Sequence, residues 1–112
     1  MGRLIYGARG LLVEMDDRLL AHVQSVIVAK LRRGEPFMLN WTESPDQGSG
    51  RRSIWVNETL ELAFEFRGSR PIELDRKIAD EMMMRAGTNH GLDVGEGAHS
   101  ERAPGRPVTP VA

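Results

Sequence analysis

The side chains able to do chemistry are few and scattered. The chain has three histidines, no cysteine and one pair of adjacent acids at the head of an apolar-periodic run, Asp16-Asp17. Two carboxylates can hold a metal or share a proton only when a third group converges on them. Adjacent residues diverge in direction, and no other acid or histidine is tied to this pair by spacing. Capping the free N–H groups of a helix start accounts for them. His22 falls with Arg18, Ser25 and Ala29 on a helix side where a lone histidine is solvated. His90 and His99 lack the HExxH or paired spacing that puts two ligands on one helix face. Ser25, Ser49, Ser53 and Ser69 lack a nucleophile elbow, and Gly48-Ser49-Gly50 runs into Arg51 rather than the Lys-Ser or Lys-Thr of a phosphate loop. The chain therefore reads as non-enzymatic, with no catalytic residue, cofactor or metal assigned.

Two other groups of residues bear on binding. Arg32 and Arg33 end a helix, Arg51 and Arg52 enter a strand, and Arg67 and Arg70 flank the turn after the next strand. Brought to one edge of a sheet, with Trp41 and Trp55 near in sequence, they would hold phosphates by charge and a base by stacking. The plainer reading is solvated arginines at element ends, since fifteen basic residues face sixteen acidic ones and the formal charge is -1. Trp41 alternates with Phe37 and Leu39, which places it in the core. Trp55 alternates the other way: if Ile54 and Val56 face the helices, Trp55 points outward with Ser53 and Asn57, where Met38, Ile5 and Leu12 could join it. Such a face is a self-association surface. The competing arrangement has the second helix covering that face in a three-layer monomer. Met82 and Met83 fit a packing stripe, which leaves Met84 surplus.

The elements that must position these residues are legible from periodicity. Leu4–Tyr6 and Leu11–Met15 form a hairpin about glycines Gly7 and Gly10. Asp16 or Asp17 caps a helix whose Leu19, Leu20, Val23, Ile27 and Leu31 make one apolar stripe. Lys30, Arg32 and Arg33 sit at its negative end, and Gly34 stops it. Phe37–Trp41, Arg52–Asn57 and Leu60–Arg67 alternate as strands, the last with Leu60, Leu62, Phe64 and Phe66 inward. Gly68-Ser69-Arg70-Pro71 breaks the pairing, and Asp75 caps a second helix carrying Ile78, Ala79, Met82, Met83 and Ala86. Leu92–Val94 is a candidate edge strand. Residues 95–112, with Pro104, Pro107 and Pro110, are expected to be a disordered tail. The expectation is an α+β domain over residues 1–94, in the order ββαβββα, with one antiparallel sheet of about five strands.

At 112 residues, with 40% hydrophobic and 28% charged, the chain is sized for one modest core. Absence of cysteine suits a reducing compartment, and the start has neither a signal-peptide core nor a spanning run, so a cytoplasmic protein without membrane contact is expected. The predicted partner is a second copy or another protein, with nucleic acid as the alternative.

Five segments carry a resemblance: Gly2-Arg3-Leu4-Ile5-Tyr6-Gly7, Asp16-Asp17-Arg18-Leu19-Leu20-Ala21-His22, Val26 to Glu35, Ser53-Ile54-Trp55 and Gly68-Ser69-Arg70-Pro71. Over about residues 1–92 the chain resembles a small actinobacterial and phage family of unknown function, whose members often bear the label ATP-dependent DNA ligase. That label implies a nucleophilic lysine in a KxDG motif. Neither Lys30 nor Lys77 is followed by x-Asp-Gly, so the residues do not support ligase activity. The order helix, three strands, helix is also similar to double-stranded RNA-binding domains, which implies a basic cluster opening the last helix. Here Arg76-Lys77 stands there between Asp75 and Asp80-Glu81.

Overall fold

The first helix runs from Asp17–Arg32 (α1) and begins and ends as its residues dictate. Asp16 is the N-cap, its carboxylate accepting from the Arg18 N–H at 3.1 Å. At the other end Gly34 adopts φ 68°, with its N–H on the Leu31 carbonyl and the Glu35 N–H on the Lys30 carbonyl, the paired bonds of a Schellman stop. A computed structural model describes residues 1–7, 10–44 and 50–102 of the chain. The expectations for the hairpin tip at 8–9, the loop at 45–49 and the tail at 103–112 lie outside the described residues.

Among the described residues, seven strands and a second helix stand around α1: β1 (Gly2–Tyr6), β2 (Leu11–Met15), β3 (Phe37–Glu43), β4 (Gly50–Val56), β5 (Leu62–Glu65), α2 (Arg76–Ala86), β6 (Leu92–Asp93) and β7 (Ala98–Arg102). The α+β class is as expected, but the strands form two sheets rather than one of five. One sheet has the order β5-β1-β2-β7 and the other β4-β3-β6. The pairings are antiparallel except β3 with β6, which run parallel. The three consecutive strands of the double-stranded RNA-binding pattern are therefore split between sheets. β5 leaves β4 and pairs with β1, setting Phe64 opposite Leu4 and Leu62 opposite Tyr6. That choice lets the apolar side of β5 extend the Leu4 face of the hairpin, half-burying Leu62 and Phe64 against the core.

Regular structure continues past residue 94, where a tail is expected. Gly95–Gly97 forms a single 3-10 turn, and Ala98–Arg102 then pairs along β2 from Met15 to Leu11. The order through residue 102 is ββαβββαββ.

One core joins all layers. Leu20, Val23, Val26 and Ile27 of α1 meet Leu4, Val13 and Met15 from one sheet and Phe37, Leu39, Trp41, Ile54 and Val56 from the other. Met82 and Ala86 of α2 close its end, while Met84 is exposed, as its surplus place in the stripe predicts. Ile78, read as part of the apolar side of α2, is exposed instead.

Candidate functional site

Period-two alternation gives the three-stranded sheet two faces of opposite character. Phe37, Leu39 and Trp41 turn inward with Ile54 and Val56, and Trp41 is 1% exposed. The outward positions pair across the strands as Met38 with Trp55, Asn40 with Ser53 and Thr42 with Arg51. Trp55 remains 50% exposed, while Met38 beside it is half-buried. Neither helix covers Trp55: α2 packs on α1, on β6 and on part of β3, with its Met82 and Ala86 in the core. Ile5 and Leu12 do not join Trp55, because they belong to the other sheet.

Polar contacts hold the outward face in shape. The Ser53 hydroxyl donates to Asn40 Oδ1 at 2.6 Å, and Asn40 Nδ2 donates to the His90 carbonyl at 2.8 Å. The Tyr6 hydroxyl donates to the Trp55 carbonyl at 2.7 Å, fixing the strand that carries the indole. Beside Met38 lies an open hollow of about 600 Å³ lined by Asn40, Arg51, Ser53, His90 and Asp93.

The six grouped arginines do not converge on one edge. Arg51 lies on the outward face, whereas Arg52 turns the other way, its Nε 3.8 Å from a Glu43 oxygen. Arg33 is the exposed C-cap residue of α1. Arg67 gives its backbone N–H to Asp17. Arg32 and Arg70 both line a trench between α1 and the segment after β5.

The densest polar cluster is one that sequence reasoning passed over. Glu43 continues the inward series of Phe37, Leu39 and Trp41, and it is 2% exposed. Its Oε1 accepts from Trp41 Nε1 at 2.9 Å, from the Ser100 N–H at 2.9 Å and from the Ser100 hydroxyl at 2.6 Å. His99 Nδ1 donates to Oε2 at 3.0 Å, which fixes the proton on that nitrogen. Burial pushes the carboxyl's pKa up, but these donors outweigh it together and hold it at about 2 against an ordinary 4.5. Glutamate, histidine and serine thus meet, but not as a triad. Ser100 gives its proton to the carboxylate and has no bond to the imidazole, so nothing activates its oxygen. The cluster is a clasp between β3 and β7. Repetition of the period-two series by one more step was the signal that could have found it.

A second pair of side chains pins the segment after β5. Asp17, read as a capping residue, instead accepts from the Arg67 and Gly68 N–H groups at 3.1 and 2.9 Å, and these bonds lower its pKa. His22, expected to be solvated, is 2% exposed. Its Nε2 accepts from the Asp75 N–H at 2.9 Å and its Nδ1 bonds the Arg18 carbonyl at 2.7 Å, which makes it the neutral tautomer protonated at Nδ1. The returning chain covers the helix side that spacing alone leaves open. His90 stands 3.8 Å from Asp93 at the rim of the outward hollow. Among the described residues no three His, Cys, Asp or Glu side chains form a metal-holding group, and no helix is long and apolar enough to cross a membrane.

Residues 1–97 match the family described as Domain of unknown function (DUF7882), and the chain belongs to it. No curated protein and no solved structure matches the chain.

Proposed function

We propose that this DUF7882 protein is a non-enzymatic interaction module that self-associates through the outward face of its three-stranded sheet. The observation that carries the reading is Trp55, half-exposed opposite Met38 and covered by neither helix. A large rigid aromatic with little conformational entropy to lose is the kind of side chain that anchors protein interfaces. A twofold pairing would bring each Trp55 against the same patch of a second copy, the self-complementary geometry common among homodimers. β4 is an edge strand, so nothing further in its own sheet blocks that approach.

Light scattering behind a sizing column, at low and high salt, tests this directly. The expected mass is that of a dimer, unchanged by salt, and Trp55→Asp is expected to convert it to a monomer that stays folded by circular dichroism. A native chain that is monomeric throughout the concentration range overturns the reading.

The second reading is a nucleic-acid-binding accessory domain. What favours it is Arg51 standing on the same face as Trp55, a cation beside an aromatic platform. Charge reversal at Arg51 and Arg52 is then expected to abolish salt-sensitive binding of short DNA or RNA while leaving the dimer intact. The relation to actinobacterial and phage proteins, and a cytoplasmic location, belong to this proposal on the resemblance and the lack of cysteine. The ligase label attached to similar sequences has little to work with here. Lys30 is buried and donates to Glu35 at 2.9 Å, and Lys77 stands in the first turn of α2 without the KxDG setting.

A further inference from the structure

Away from the Trp55 face, α1 and the Phe66–Leu74 segment enclose a trench of about 630 Å³. Its walls are apolar: Val28 on the helix is 44% exposed and Leu74 across from it 42%, with Phe66 and Ile72 half-buried between. Val28 and Leu74 give the trench exposed apolar side chains on both the helix and the returning segment. Among the described residues, the charged side chains lining the trench are Arg32 and Arg70, and no acid lines it. Among the described residues neither arginine has a carboxylate within ion-pair distance. Two uncompensated guanidinium groups above apolar walls are complementary to a ligand that is both apolar and anionic.

The trench is also held open before anything enters it. The second wall is an irregular stretch of chain, yet the Asp17 carboxylate fixes its start through two N–H groups and His22 fixes its end through the Asp75 N–H. Asp75 in turn caps α2 through the Lys77 and Ile78 N–H groups. A wall pinned at both ends loses little entropy on binding. From Ala21 to Arg32 the helix floor rises about 16 Å, at 1.5 Å per residue, which an extended peptide covers with about five residues at 3.3 Å each. An open trench of that length suits a strand of chain better than a compact small molecule, which prefers to be mostly enclosed.

We propose that this trench binds an acidic peptide segment of a partner protein, about five residues long, with apolar side chains on Val28 and Leu74 and carboxylates on Arg32 and Arg70. The site is independent of self-association through Trp55, and each stands or falls alone.

The test is a titration of the nitrogen-15-labelled full chain with acetylated Leu-Leu-Phe-Asp-Glu, followed by amide chemical shifts. Saturable shifts confined to residues 21–32 and 66–74 are expected. Affinity is expected to fall about tenfold or more in Arg32→Glu/Arg70→Glu, whose exposed positions leave folding intact, and that variant is expected to bind Leu-Leu-Phe-Lys-Lys instead. Val28→Ser is expected to weaken the native peptide without altering charge selectivity. No saturable shift, shifts unchanged by the charge reversal, or shifts centred on Trp55 would each overturn the proposal. So would binding of a ten-nucleotide single-stranded DNA or of decanoate in the trench without binding of the peptide.

Discussion

The two faces of the three-stranded sheet invert the usual order of inside and outside. On the inner face a carboxylate, Glu43, is buried, while on the outer face an indole, Trp55, stands half in water. The first is tolerated because four donor groups of Trp41, His99 and Ser100 replace the water it gave up. The second has no such compensation within the described residues, as only Met38 meets it across the strands. A broken local rule that the chain repairs internally is structure. One left unrepaired is what the proposed self-association would cover.

The harshest way to break the comparison is to remove the donors together. A chain ended at Gly97 loses His99, Ser100 and the β7 pairing of β2, leaving a buried carboxylate with Trp41 as its main donor. Its urea midpoint is expected to fall further than that of any single substitution discussed here. Glu43→Ala comes next, with an expected loss of about 3 kcal/mol in urea unfolding, because the Trp41 and Ser100 donors are left unpaired.

Acid probes the same bond set without mutation. The folded pKa of Glu43, about 2, lies below the ordinary 4.5, so its stabilisation is fully present above pH 4.5 and is lost as pH falls toward 2. The amount at stake is about 3 kcal/mol. Acid unfolding of Glu43→Gln is expected to be correspondingly shallower over that window, and an identical pH profile would refute the clasp.

His22→Phe asks whether a second buried polar group obeys the same logic. It leaves the Asp75 N–H without its acceptor, with an expected cost of about 2 kcal/mol and faster tryptic cleavage after Arg76. The smallest effect on stability is expected for Trp55→Ser, within about 0.5 kcal/mol of native, since an exposed residue away from such features contributes little to folding. Its consequence is expected in mass instead, as loss of the dimer. A large stability loss there would mean the outward face is part of the fold after all.

How much of this was legible follows the same division. α1 announces itself, because Asp16 and Gly34 are local signals read within one turn. The inward place of Trp41 and the outward place of Trp55 follow from alternation, which reports faces. Alternation does not report neighbours, so β5 was read correctly as a strand and assigned to the wrong partner. His22 and β7 were missed for a related reason. The first is buried by chain returning fifty-three residues later, and the second is recruited by backbone pairing and by Glu43 rather than by an apolar pattern of its own. Of the grouped arginines, spacing could not tell that Arg32 and Arg70 line one trench while Arg51 and Arg52 part to opposite faces.

The clasp also orders events in time. Glu43 and Ser100 are 57 positions apart, so the acid's shell cannot be completed until that much more chain has followed β3. Until β7 is synthesised the carboxylate must stay hydrated, and the inner end of β3 cannot close. Docking of β7 is then expected to follow closure of the rest of the core, and its release to precede global unfolding. Hydrogen exchange is expected to record this as weaker protection of the amides of β7 than of those at the centre of α1.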